Sequence, residues 1–417
     1  MSKAISAILI VAVLVCASGA YLAINNGHDN GSSDGSLSDA AGNRLSDEYD
    51  SSRIMTIGVG TLRWVSYFGS EKNVVCIDVG DANPSSWNGK GYRSLMNIDY
   101  TEKLGQQYQP LESDIGKHGV ALHDHNGFST SNLESLSKWS NKPSLTIVSK
   151  SIYSGFGPEF INGLSRLTKI VVIHEVDTFL DGDGNLSKEF QSNLSIMGKV
   201  LEKEKRADEL RGNIDGLLKD IHSLIEGKTP KYDKAYIGGA SNSGSKSLRF
   251  SVGSYLPFQI AGITNSYNTD STIAVDIGNE GLSSCKPDVL FFDLSGTNKF
   301  ESDDSKAVLT YAESNNLPIY TLLPYFWFGY NFDNAIANAY YLIYVCYDDV
   351  LTYEQCMDKI SSTYEAFMPN ASELKDGDSQ GGTVILDNFN DYYGKTGSKL
   401  TMDGKQYVSK SGKIEPA

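Results

Sequence analysis

The amino-acid sequence reads as an α/β protein of two lobes joined by one long α-helix, and three observations carry that reading. First, residues 203–227 hold apolar side chains at Ala207, Leu210, Ile214, Leu217, Leu218, Ile221, Leu224 and Ile225, the three-and-four spacing that lays one apolar stripe along a helix. Charged residues between Glu204 and Asp220 occupy the other faces, and Gly227 and Pro230 supply a stop. At ~1.5 Å per residue such a helix spans roughly 35 Å, about the width of a small domain. Second, short apolar strands alternate with helical runs before it. Third, the same alternation restarts after it. Two Rossmann-like lobes bridged by the helix, with a ligand cleft between them, are the expected architecture.

Composition bounds the function before any motif is read. A chain of 417 residues can fill two cores. Its formal charge of -15 repels nucleic-acid backbones and anionic bilayer surfaces, so nucleic acid is excluded as a partner. Five cysteines (Cys16, Cys76, Cys285, Cys346 and Cys356) show neither a CxxC pair nor metal-ligand spacing. They read as buried thiols, with Cys346 and Cys356 the pair that an oxidising compartment would bridge.

In chain order, residues 1–24 form an export signal or membrane anchor. Ala4 to Ile24 are almost wholly apolar behind Lys3, long enough to span a bilayer with the N-terminus inside. An uncleaved anchor is favoured, because Val15 stands where a lipid-attachment site wants a small residue before Cys16. Residues 25–52, rich in Gly, Ser, Asp and Asn, read as a flexible tether. The N-terminal lobe takes 53–202, with strands at Arg53–Ile57, Val74–Ile77, Leu145–Val148 and Ile170–His174 and helical runs at Thr61–Phe68 and Pro158–Leu167. Beyond the bridge, the C-terminal lobe takes 228–369, with strands at Ala235–Gly238, Asp288–Phe292 and Pro318–Leu322 and a helix at Asn331–Tyr347. Short apolar strands separated by helices mean mostly parallel sheets covered on both faces. Residues 370–417 are a C-terminal extension with one short strand signal at Val384–Leu386.

A crevice between lobes is a natural pocket, lined by the loops that follow the strands. The aromatic candidates there are Trp64, Tyr153, Tyr255, Tyr325, Trp327 and Tyr330, flat apolar faces with polar tips suited to a large planar or catecholate-like ligand. Lys150, Lys246 and Arg249 are the cations that would meet an anionic ligand, Arg249 foremost because Ser247, Ser251 and Tyr255 surround it. His123 and His125 point the same way in an extended segment, with His118 close by, so metal ligation is chemically open there. The plainer reading makes them turn residues beside Asn126-Gly127. Asp181-Gly182-Asp183-Gly184-Asn185 departs from a calcium loop at Leu186 and Ser192 and reads as an acidic turn capping the next helix. Gly58-Val59-Gly60 lacks the third glycine of a dinucleotide fingerprint, and Gly238-Gly239-Ala240-Ser241 lacks the elbow glycine of a serine hydrolase. No catalytic residue and no resident cofactor is assigned.

Taken together, several stretches resemble the substrate-binding proteins of ABC importers for ferric siderophores, haem and cobalamin. Arg53-Ile54-Met55-Thr56-Ile57-Gly58 is similar to that family's opening strand. Ser131-Asn132-Leu133-Glu134 with Lys142-Pro143-Ser144-Leu145-Thr146-Ile147-Val148, and Gly281 through Lys286-Pro287-Asp288-Val289-Leu290-Phe291, resemble one family element occurring once in each lobe. Leu323-Pro324-Tyr325-Phe326-Trp327-Phe328 with Asn334 to Tyr341 resembles the closing strand and helix of members that carry iron complexes. The resemblance covers about residues 53–368. Ser144 replaces its usual Asp, Glu134 sits two residues further from its proline than Glu280 does, and the extension has no counterpart. It implies an extracytoplasmic, membrane-tethered protein that binds a metal chelate and passes it to an ABC permease, with a rigid bridging helix. It further implies that Glu134 and Glu280 dock the lobes on the permease and places Phe128 near the cleft mouth. Two other classes stay open: a receptor for free zinc or manganese using His118, His123, His125 and Glu175, and a chelatase-like enzyme using His174 and Glu175.

Overall fold

The computed structural model describes residues 37–58, 60–76, 130–139, 142–241, 245–299, 301–325, 331–369, 398–402, 405–410 and 413–416. In the N-terminal lobe, strand β1 (Ile54–Ile57) leads into helix α1 (Thr61–Tyr67), and β2 (Val74–Cys76), α2 (Thr130–Lys138), β3 (Leu145–Ser149), α3 (Lys150–Gly155), α4 (Pro158–Ser165) and β4 (Lys169–Ile173) follow. The four strands lie in the order β2-β1-β3-β4, all parallel. β1 and β3 are buried along their whole length, as continuous apolar runs with helices on both faces must be. Helix α5 (Lys188–Val200) closes the lobe, capped by Ser187, whose Oγ accepts from the Phe190 amide. The acidic turn before it folds on itself, Asp181 Oδ1 accepting from the amides of Asp183 and Asn185.

Helix α6 (Glu204–Ile225) is the bridge. Ala207, Leu210, Ile214 and Ile221 are buried, and Leu217, Leu218, Leu224 and Ile225 pack partly against the same core. The stripe read from sequence is therefore the buried face.

In the C-terminal lobe come β5 (Lys234–Gly238), β6 (Phe250–Ser251), α7 (Leu256–Ile260), β7 (Thr264–Asn265), β8 (Val275–Asp276), α8 (Gly278–Cys285), β9 (Val289–Asp293), α9 (Asp303–Ser314), β10 (Ile319–Leu322), α10 (Phe332–Cys346) and α11 (Tyr353–Phe367). The strands β7-β5-β9-β10 are parallel, and β6 and β8 form a separate antiparallel ribbon. Leaving that ribbon aside, the lobe repeats the order of the first: the second strand lies outside the first, and the third and fourth follow on the other side.

Two boundaries differ from the sequence reading. The tether expected over 25–52 ends early, because residues 37–50 dock along the edge strand β4. Asp39 is buried, its carboxylate accepting from the amides of Ala41, Asn43 and Val172, while the Ala40 amide donates to Val172 O. Leu45 enters the core, and Lys169 and Lys199 hold the carbonyls of Glu48 and Asp47. A composition poor in apolar residues hid this, since the segment is fixed largely by hydrogen bonds to an unpaired strand edge, with Ala40 and Leu45 its buried apolar side chains. At the other end, β11 (Ser398–Met402), β12 (Lys405–Lys410) and β13 (Lys413–Pro416) form a meander whose last strand pairs antiparallel with β10. The strand signal at 384–386 and the anchor at 1–24 lie outside the described residues. Cys346 and Cys356 are both free and buried.

Candidate functional site

Parallel strands place all their carboxyl ends on one edge of a sheet, and in open α/β sheets that edge is where ligands bind. Each lobe's first strand ends there in a glycine with a packing reason. A Cβ on Gly58 (φ 105°) would lie 2.6 Å from Ser149 Oγ, and one on Gly238 would lie 2.4 Å from Leu248 O. Only glycine lets these backbones pass so close to the neighbouring loop.

The carboxyl-end segments of the two lobes meet, which makes a floor for the crevice. Arg63 on α1 forms an ion pair with Asp333 in the first turn of α10, the two side chains 4 % and 0 % exposed. Burial pushes the Asp333 carboxyl above its ordinary value, against the opposing pull of Arg63. Beside the pair, Phe179, which follows β4, stacks on Phe332 with ring centroids 4.7 Å apart, and Phe190 meets Phe332 edge-on at 5.2 Å.

A row of asparagines on α10 fixes the segment that leaves β10. Asn338 accepts from the Leu323 amide and donates to the Leu323 carbonyl, Asn334 donates to Pro324 O, and Asn331 donates to Tyr325 O. Tyr364 OH in turn donates to Asn334 Oδ1. Each asparagine satisfies a buried backbone group that no ladder or helix could reach.

On the N-terminal rim, Lys150 opens α3 and is exposed, and the amide and hydroxyl of Ser151 both donate to Glu175 Oε1. His174 Nε2 lies 3.2 Å from Ser192 Oγ, and its backbone is held at both ends by Asn193. Burial, followed by the nearby Lys150 charge, holds the His174 imidazole below its ordinary value despite Glu189, Glu175 and Asp39. Burial and the charges of Glu175 and Glu189 push Asp177 up. In the C-terminal lobe Lys246 is half-buried, its ammonium 5.2 Å from the Phe250 ring. Among the described residues no group of three or more His, Cys, Asp and Glu could hold a metal ion.

No protein-family model and no curated protein sequence matches the chain. Among solved structures, a periplasmic solute-binding protein from Veillonella parvula is similar at 15 % identity, over 80 % of this chain and 92 % of that one, with a TM-score of 0.52. The TroA-like periplasmic binding protein FepB from Veillonella parvula is similar at 13 % identity, over 80 % and 96 % of the two chains, with a TM-score of 0.50. This is the TroA-like binding-protein fold. Helicobacter pylori CeuE in its Ni-His complex shares it at 16 % identity, over 82 % and 97 %, with a TM-score of 0.50.

Within this TroA-like fold the sequence-predicted candidates separate. Lys150 opens the helix that directly follows β3, and Lys246 lies on the segment that follows β5. Glu280 is exposed in the first turn of α8, and Glu134 is exposed on α2, where Lys138 Nζ pairs with it at 2.6 Å and holds its carboxyl low. Five candidates are engaged in packing or ion pairs. Trp64 is 7 % exposed, packed between Tyr67 and Phe190, because α1 turns that face into the lobe junction. Tyr255 and Tyr325 are buried against each other at 6.0 Å, in the core beneath β10. Arg249 is taken up by carboxylates, its Nε 2.6 Å from Asp276 and its Nη1 2.9 Å from Asp304. Tyr153 is half-buried on α3 and packs on Phe156 at 6.2 Å. Phe128, Trp327, Tyr330, His123 and His125 lie outside the described residues. The floor pair Arg63 and Asp333 and the asparagine row escaped sequence reading. The signal available for the row was Asn331, Asn334 and Asn338 at helical spacing, the first capping and the other two within a largely apolar helix.

Proposed function

We propose that the chain is an extracytoplasmic solute-binding protein, tethered to the membrane by its N-terminal segment, that captures a metal chelate in the interlobe crevice and passes it to an ABC permease. The observation that carries this reading is the repeated strand order in two lobes whose carboxyl-end segments meet over a shared floor. Such an arrangement binds by enclosing a ligand between two rims. The exposed Lys150 and the half-buried Lys246, one on each lobe, suit an anionic cargo such as a ferric siderophore or the propionates of haem, with cobalamin a further member of the class. Glu134 and Glu280 are the proposed docking carboxylates, which pair well with guanidinium groups. The likeness to CeuE, whose structure holds nickel and histidine, supports a metal-complex cargo. A chelatase reading is disfavoured because Glu175 is engaged by Ser151 rather than turned to the His174 ring.

The test is native mass spectrometry with absorbance on the full-length chain in detergent, titrated with ferric siderophores, haem, cobalamin and free divalent metals. One-to-one chelate binding, weakened by Lys150→Ala and by Lys246→Ala, is expected. Binding of bare zinc or manganese alone, lost on replacing His123 and His125, would overturn it in favour of the metal-ion receptor.

A further inference from the structure

The bridging helix α6 runs unbroken from Glu204 to Ile225, but it carries two glycines in its interior. Gly212 and Gly216 lie mid-helix one above the other, and a Cβ on either would meet nothing within 4 Å. No packing demands a glycine there, and each costs about 1 kcal/mol of helix stability relative to alanine. The helix on either side belongs to different partners. Before the glycines, Lys203 Nζ holds the carbonyls of Phe68 and Gly69 in the N-terminal lobe, and Ala207 sits 3.1 Å from where a Gly198 Cβ would stand. After them, Asp220 receives Lys359 Nζ from α11 and the Tyr340 hydroxyl from α10.

One side chain ties the two sets together. Arg206 Nε donates to Tyr67 O, the last residue of α1, while its Nη2 donates to Ala366 O and Phe367 O, the last residues of α11, all at 2.9 Å. The final carbonyls of a helix have no partner within it and carry the negative end of its dipole. A planar guanidinium, with its donors in a fixed fork, reaches two such ends at once in one defined geometry. Tyr67 and Phe367 seal the junction with rings 5.1 Å apart.

We propose that Arg206 is the positioning residue that sets the angle between the lobes, and that the helix flexes at Gly212 and Gly216 when this clamp is released. The clamp itself does not depend on cargo; its consequence, a crevice held at a capture-ready width, rests on the binding-protein reading. The experiment is an interlobe distance measurement by pulsed electron resonance on the full-length protein without cargo, with spin labels carried on non-natural residues at the exposed Glu159 and Thr310. Arg206→Met, which keeps the stem and removes the fork, is expected to broaden the distribution and add a second population. Adding Gly212→Ala and Gly216→Ala is expected to narrow it again. A width unchanged in Arg206→Met would overturn the proposal, as would broadening that the two alanines fail to reverse. Should Arg206→Met not fold, Arg206→Lys replaces it, with intermediate broadening expected and an unchanged width again fatal. A clamp variant that broadens in a protein binding no chelate would sink the cargo reading and leave the clamp standing.

Discussion

The two lobes have the same strand order, yet their corresponding outer edges are guarded by opposite ends of the chain. In the N-terminal lobe β4 is covered by residues 37–50, which touch it through the Asp39 carboxylate, one backbone bond and the Lys169 ammonium on the Glu48 carbonyl. In the C-terminal lobe β10 is covered by β13, a true strand in register at Ile319↔Ile414 and Tyr320↔Lys413. A parallel sheet whose last strand is left open invites pairing with another chain. The comparison teaches that the repeated unit specifies the sheet but not its border, and that each copy acquired its own device. What joins the copies, the Arg63–Asp333 pair and the Arg206 clamp, belongs to neither repeat.

The largest effect is expected at that junction. Removing one partner of a buried ion pair strands the other in a medium that cannot solvate it, so Arg63→Ala or Asp333→Ala should each cost about 3–5 kcal/mol. Replacing both, as Arg63→Met with Asp333→Leu, should cost much less than the sum. Chemical denaturation of the four proteins in a double-mutant cycle reads this directly, and additive losses would show that the pair does not act as a unit.

A smaller effect separates the two borders. Asp39→Ala removes the acceptor of the Val172 amide and of the turn that presents it, a loss of about 1–3 kcal/mol. Hydrogen exchange should rise at Val172 and its β4 neighbours while β10 stays protected. Deleting residues 398–417 should do the reverse, exposing the amide of Ile319, which faces β13, while that of Tyr320, which faces β9, stays protected. Exchange that spread through both sheets in either variant would mean the borders are not independent.

How much of this was legible follows from what each feature depends on. Elements fixed by local apolar pattern were readable to within a residue or two: β1, β3, β4, β5, β9, β10, α6 and α10 all stand where the sequence places them. Helices α9 and α11 were not singled out by periodicity, although Ser302 and the Thr352–Gln355 capping box mark their starts. Site residues fared worse because orientation is a long-range matter. Nothing near Arg249 in sequence announces Asp276 or Asp304, and nothing near Trp64 says that its face of α1 turns toward Phe190. The duplication was legible as repeated grammar; the floor between the copies was not, since it joins residues 270 positions apart.

The smallest expected effect also distinguishes the lobes. The C-terminal lobe, residues 228–369, contains no histidine, whereas the N-terminal one carries His174 at the carboxyl end of β4. Its imidazole is held below the value of about 6.5 that it has in the unfolded chain, first by burial and then by Lys150, with Glu189, Glu175 and Asp39 pulling the other way. The folded state therefore favours the neutral ring. Its contribution to stability is fully present above the unfolded value and is lost as pH falls through the lower, folded one. Between neutral and mildly acid pH, the wild-type denaturation midpoint should fall slightly more than that of His174→Gln, and the extra exchange should appear at β4 and α5 rather than anywhere in the C-terminal lobe. Parallel pH profiles for the two proteins would show that His174 titrates alike in both states, and would leave the asymmetry between the lobes to their borders alone.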